Sequence, residues 1–250
     1  MSPLPTARDK RLSSRDSLVV LLTVSTGAVD GTSFLHLGHV FSSVVTGTMV
    51  LLGLAAGTHD ASLAEHCGVA LASYTTGVLL GAPLAARPAG HRAQQAARRH
   101  QVWSPSVTLT LVAEFVLVAA FCAGWEVASG RPQGTAQLPL LAVLGAAMGM
   151  QGAAIRQLGQ ISTTYLTGTL TGVVADLATR RTPEGLARSL GIFLALITGA
   201  FLAAILTAAV PALLPVVVLT PLALVVALAG LSFRVTGGRI IRRRRPGRDG

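Results

Sequence analysis

The sequence predicts an all-α polytopic membrane protein with six transmembrane helices plus two short re-entrant or broken segments, arranged as two inverted repeats. Three observations predict it: apolar blocks of membrane-spanning length, a one-sided distribution of basic residues, and a motif that recurs once in the chain. Of the 250 residues, 51% are hydrophobic and only 12% are charged, about half the charged share of a soluble domain. Mean hydropathy is positive.

A helix needs about 20 apolar residues to cross the hydrocarbon core. Blocks near that length lie at 17–37, 63–86, 106–128, 138–158, 188–209 and 214–233. Two further apolar stretches, 40–57 and 162–179, are shorter and rich in Gly, Thr and Ser. The first block has a basic flank but no small-x-small cleavage site before a polar domain, so it reads as an uncleaved span.

The formal net charge of +10 comes from 20 Lys and Arg against 10 Asp and Glu. In a soluble chain this would suggest nucleic acid. Here the charge sits in tails and loops: Arg8, Lys10, Arg11 and Arg15; Arg87, Arg92, Arg98 and Arg99; Arg131; Arg156, Arg180, Arg181 and Arg188; and seven arginines from Arg234 to Arg248. The tail 239-RIIRRRRPGR-248 reads as an anchor at anionic headgroups, and no nucleic-acid partner is expected. Eight spans would put most of these residues on the wrong side of the bilayer. If 40–57 and 162–179 each enter and leave on one face, every basic residue except Arg131 lies inside. The expected organisation is then a basic cytoplasmic tail at 1–16, a membrane repeat at 17–128, a second at 138–233, and an Arg-rich cytoplasmic tail at 234–250. Both termini are expected to be cytoplasmic.

Sliding the chain by 121 residues aligns 24-VSTGAVDGTSFLHLGHVFSSVVTGTMVLLGLAA-56 with 145-GAAMGMQGAAIRQLGQISTTYLTGTLTGVVADL-177 without a gap. Gly31 meets Gly152, Gly38 meets Gly159, and Thr46-Gly47-Thr48 meets Thr167-Gly168-Thr169. Ser42 and Ser43 meet Thr163 and Thr164. One residue further along, Thr76-Gly77 meets Thr198-Gly199. Three spans per half make the two like units run in opposite directions. Secondary transporters use this arrangement, with sites built from discontinuous helices. Broken backbone at membrane depth is tolerated where it is buried in protein or lines a water-filled cavity. The same Thr-Gly-Thr motifs also suit close helix packing alone.

These stretches, 27-GAVDGTSFLHLGHVFSSVVTGTMVLLGLAAG-57 and 148-MGMQGAAIRQLGQISTTYLTGTLTGVVADLA-178, resemble the two signature regions of the YoaK-type family. The resemblance covers roughly 15–235. It implies a multi-span protein of the bacterial inner membrane and supplies no reaction or substrate. Thr48 stands where the family usually has Asn, and Gly152 follows Gln151 where Asn is frequent.

Ionisable residues inside the blocks are few. An ionisable side chain at bilayer depth is costly unless paired or hydrated, which makes Asp30 a functional candidate. It suits a cation or proton, or it caps a half-helix after a break at 30-DG-31. Its repeat equivalent is Gln151. Glu114 either faces the bundle centre or forms a structural ion pair with Arg156. His36 and His39 flank the turn into the first short segment, without paired helical spacing for a metal. Cys67 and Cys122 match no metal or redox spacing and read as small core residues.

No catalytic residue, metal site or cofactor is expected, because nucleotide-binding, HExxH and nucleophile-elbow motifs are missing. The expected function is a small-solute or ion permease. Its substrate-binding candidates are Asp30, Thr46, Gly47, Thr48, Gln151, Thr167, Gly168 and Thr169. The alternative is a non-transporting scaffold or assembly factor, and a third option is an intramembrane enzyme using Asp30 and Glu114. Expected partners are the lipid bilayer, an unidentified small solute or ion, and a second copy of the chain in a homo-oligomer.

Overall fold

A computed structural model of the chain describes residues 14–86, 104–157, 166–179 and 185–243. Eight α-helices make up the described fold: α1 (Ser14–His36), α2 (Val45–Thr58), α3 (Ala61–Ala85), α4 (Pro105–Val127), α5 (Gln137–Gln157), α6 (Leu166–Ala178), α7 (Leu186–Ala209) and α8 (Leu214–Arg243). Short 3-10 turns at Gly134–Ala136 and Pro211–Leu213 lead into α5 and α8. No strand occurs among the described residues. The six long helices α1, α3, α4, α5, α7 and α8 are apolar and long enough to cross a membrane, while α2 and α6 are shorter. A 14-residue helix such as α2 rises only about 21 Å, well short of a hydrocarbon core of about 30 Å.

Local sequence sets several boundaries. Asp60 caps α3 by accepting the Leu63 N–H at 3.0 Å. Ser104 caps α4 by accepting the Val107 N–H at 3.4 Å, with Pro105 at the first helical position, where its missing N–H costs nothing. Helix α1 begins at Ser14, and α8 continues to Arg243. Arg is a good helix former, and a helix already nucleated in the bilayer extends readily past it.

Contacts at the helix ends establish direction. Gln137 Nε2, at the start of α5, donates to the His36 carbonyl at the end of α1 (2.9 Å). The His36 ring meets Trp125 near the end of α4 edge-on at 5.5 Å. Trp125 Nε1 donates to the Pro211 carbonyl ahead of α8 at 3.0 Å. Gly38 lies directly against the His66 ring in the second turn of α3. One face therefore gathers the C-terminal ends of α1, α4 and α7 and the N-terminal ends of α3, α5 and α8. The segment 37–60, including α2, leaves and returns to that face. Asp16 and Arg188 pair at 3.6 Å and join the N-terminal ends of α1 and α7 at the other. Among the described basic residues outside the C-terminal tail, Arg131 lies at the Trp125 face and Arg15, Arg156 and Arg188 at helix ends of the opposite one. The clusters at 8–11, 87–99 and 180–181 lie outside the described residues.

The centre is built by α1 and α5, the two most buried spans. The closest helix pairs are α1 with α7 and α3 with α5. Glycine makes both possible. A Cβ on Gly27 would strike the Leu196 carbonyl and crowd the Ala200 nitrogen; a Cβ on Gly149 would strike the Tyr74 carbonyl and crowd the Val78 nitrogen. Gly199 sits likewise on the Val24 carbonyl, and Gly77 on the Ala146 carbonyl. Gly31 meets Ala203, and Gly81 meets Ala153. Each second contact is the first with the halves exchanged and 122 residues between counterparts. Counterparts in these contacts are 122 residues apart, one more than in the gapless sequence alignment, so the contact pattern pairs Gly31 with Ala153 where the alignment pairs it with Gly152. Requirements for close backbone approach fix this register, whereas identity matching does not sense them. The remaining packing has the same reciprocity: α4 on α5 with α8 on α1, α2 on α3 with α6 on α7, and α3 on α4 with α7 on α8.

Candidate functional site

Asp30 lies six residues before the end of α1 and is 6% exposed. Beyond His36 the chain turns through Gly38 and His39, both at positive φ, and runs back along α1. This return places Ser42 and Ser43 at the Asp30 carboxylate. Oδ1 accepts the Ser42 N–H at 3.1 Å, the Ser43 N–H at 2.8 Å and the Ser42 hydroxyl at 3.4 Å. Oδ2 accepts the Ser43 hydroxyl. Ser33 extends the knot through a 2.8 Å bond between its hydroxyl and that of Ser42. These are backbone donors just ahead of α2 that no helix satisfies, so a carboxylate at membrane depth gains partners as the broken chain does.

Beside this knot lies a cleft of about 240 Å³ between α1, the 41–44 segment and α7. Gly27, Gly31, Phe34, Phe41, Leu196 and Ala200 line it, and Asp30 is its only charged residue. Phe34 and Phe41 stack with ring centres 5.0 Å apart. Between α3 and α5, the Tyr74 hydroxyl stands 2.9 Å from where a Cβ on Gly152 would be. Tyr74 is the counterpart of Leu196 at the 122-residue spacing.

The two Thr-Gly-Thr motifs are not brought together. α2 packs on α3 and α6 on α7, and α2 and α6 do not pack along one another. Thr48 is buried, with its hydroxyl donating to the Phe41 carbonyl at 2.9 Å, and so closes the loop ahead of its own helix. Gly47 rests on Phe41 and Val44. Thr46, Thr167 and Gly168 are exposed and Thr169 is half-buried. Gly159, Thr163 and Thr164 lie outside the described residues.

Gln151 and Glu114 form a second polar site, separate from the Asp30 knot. Gln151 Nε2 donates to Glu114 Oε1 at 2.8 Å, and the Thr26 hydroxyl donates to Gln151 Oε1 at 2.8 Å. Glu114 and Thr26 are 0% exposed and Gln151 is 2% exposed. The expected Glu114–Arg156 pair does not form. Arg156 is exposed at the end of α5, where its long side chain reaches water at lower cost than the interior. Asp30 and Glu114 bond to different partners and do not share a hydrogen-bond network. Sequence reasoning missed Thr26 and Tyr74 altogether. It noted Ser42 and Ser43 only as repeat partners, although adjacent hydroxyls twelve residues from a buried acid are a usable signal.

Cys67 and Cys122 are buried free thiols. Among the described residues, no three His, Cys, Asp or Glu side chains converge on a point where a metal would sit.

The family model described as "Protein of unknown function (DUF1275)" matches residues 18–230, and the chain belongs to that family. The resemblance to the YoaK-type family noted above agrees with it. No curated protein and no solved structure matches the chain.

Proposed function

We propose that this DUF1275 protein is a permease for a small solute or ion, built as two inverted repeats in the bacterial inner membrane with both termini in the cytoplasm. The observation that carries the reading is the cleft beside the break in the first half: a space of about 240 Å³ at bilayer depth, with Asp30 on its wall. The reciprocal glycine contacts support the inverted repeat, since packing that survives exchange of the halves is what such a repeat produces. The basic residues support cytoplasmic termini. The site belongs at the Asp30 cleft rather than between the Thr-Gly-Thr motifs. Its walls suit a ligand with an apolar body and one positive or hydrogen-donating group.

The test is an uptake screen of a deletion strain across many solutes, followed by complementation. Ala200→Phe, which fills the cleft, should abolish the uptake that wild type restores. Ala204→Phe, on the exposed side of α7, should leave it intact at equal protein level. Equal uptake by both variants would refute the assignment.

One observation favours scaffolding instead. Gly53 and Gly57 on α2 and Gly168 and Gly172 on α6 have nothing near their missing side chains. Such small-residue faces suit packing against other membrane helices. A scaffold would lose its partners on Gly57→Leu or Gly172→Leu and would be indifferent to Ala200→Phe.

A further inference from the structure

The polar site at Glu114 has a property that the transport reading does not use. Its chain of side chains crosses three helices: Glu114 from α4, Gln151 from α5 and Thr26 from α1. The distances are 2.8 Å at both side-chain links. Thr26 Oγ1 also lies 3.1 Å from the Leu22 carbonyl, and Glu114 Oε2 is buried without a hydrogen-bond partner. A hydroxyl has one proton, so Thr26 donates to Gln151 or to Leu22 but not to both. The two ends of an amide are nearly isosteric, so the same heavy-atom positions accept either orientation of Gln151.

Two donor directions therefore fit one geometry. In the first, Thr26 donates to the Gln151 oxygen, and the Gln151 amide donates to an ionised Glu114. That leaves a carboxylate with one donor in a fully buried site. In the second, a proton from solvent bonds to Glu114 Oε1, and the site charge goes from −1 to zero. The Glu114 hydroxyl donates to the Gln151 oxygen, the Gln151 amide donates to Thr26 Oγ1, and Thr26 donates to the Leu22 carbonyl. No charge is then buried, and every link of the chain pairs one donor with one acceptor.

We propose that Glu114 is a proton-binding site, and that taking up the proton reverses the Glu114–Gln151–Thr26 chain so that α1 senses a proton held on α4. Among the described residues, Gln151 is the side chain hydrogen-bonded to Glu114. On α5, Arg156 is exposed. On α3 the ionisable groups are Glu65, His66, Cys67 and Tyr74, with His66 held against Gly38. Residues 214–229 of α8 have none, and the remaining ionisable groups of α4 are Cys122 and Glu126 in its last two turns. Thr26 stands one turn before Asp30 on α1, so the reversal reaches the turn that carries the cleft wall. The proposal concerns where a proton resides and stands whether or not the protein transports anything.

The test is infrared difference spectroscopy of the full-length protein in lipid nanodiscs during a pH titration. Wild type should show a protonated-carboxyl C=O stretch that titrates and shifts in heavy water. Glu114→Gln, with an amide N–H where the acid O–H would be, should lose that band. Thr26→Val leaves Glu114 untouched and should retain the band at a shifted frequency, because the Gln151 amide loses its acceptor. Gln151→Met, a second variant with Glu114 intact, should move the band to the position of a free carboxyl. The proposal is overturned if Glu114→Gln folds and retains the band, if the band never titrates, or if neither Thr26→Val nor Gln151→Met shifts it.

Discussion

The Ser43 backbone N–H donates to Asp30 Oδ1 at 2.8 Å, and so a residue of α1 holds the entry to α2. Helix α2 lacks a side-chain cap of its own at Val44, and Asp30 serves the donors just upstream instead. Removing the carboxylate strands the Ser42 and Ser43 backbone N–H groups and the Ser43 hydroxyl, while the Ser42 hydroxyl keeps Ser33. Each buried orphan costs about 1–3 kcal/mol. Asp30→Ala should therefore lower stability by at least about 2 kcal/mol, whereas Asp30→Asn, which retains one acceptor oxygen, should lose less. Thermal unfolding in mild detergent measures both. A cysteine at Ser43 should also react faster with a thiol reagent in the Asp30→Ala background.

The glycine contacts predict matched effects in the two halves. Gly27→Ile and Gly149→Ile each drive a side chain into backbone of the facing helix. Forced overpacking costs typically about 1–3 kcal/mol, and more where the obstruction is backbone. The two variants should destabilise to a similar degree, as should Gly77→Ile and Gly199→Ile. Gly53→Ala and Gly168→Ala face open space and should be neutral or slightly stabilising. Melting temperatures of the six variants decide this, and unequal losses within a pair would count against equivalence of the halves.

The spans were legible because an uninterrupted apolar run near 20 residues has few other uses in a chain this poor in charge. The arginine pattern predicts which face is cytoplasmic, and the end contacts at Trp125, His36 and Gln137 show which helix ends share a face. The site was less legible. Similarity between the Thr-Gly-Thr motifs relates two stretches of sequence and does not require that they touch. The choice of Arg156 for Glu114 followed charge complementarity, but an arginine at a helix end can reach water and a glutamine one turn deeper cannot. The one-residue difference in register came from packing at Gly27 and Gly149, which a string of letters does not display.

Sidedness has a direct test. Single cysteines at Asp60 and Ser129 lie at the face that carries Trp125 and should be labelled by an impermeant thiol reagent from outside intact cells. Cysteines at Ala96 and Asp249 should be labelled only after permeabilisation. A reporter placed after Arg99 or at the carboxyl end should likewise remain on the cytoplasmic side. Labelling of position 96 or 249 from outside would reject the six-span arrangement.

Leu196 and Tyr74 are counterparts 122 residues apart; Leu196 lines the Asp30 cleft, and the Tyr74 hydroxyl lies against Gly152. Exchanging their sizes should move the empty space. Tyr74→Leu removes the ring and hydroxyl that lie against Gly152, and cavity formation at this half-buried position should cost about 1–2 kcal/mol. Leu196→Tyr places an aromatic ring over Gly27 and Gly31, where the cleft already provides room, so it should leave the melting temperature unchanged or raise it. The asymmetry is the informative result, because a generic intolerance to substitution would lower both. If the Asp30 cleft is the binding site, Leu196→Tyr should also abolish the uptake phenotype that Tyr74→Leu retains, and the same complementation strain reads both.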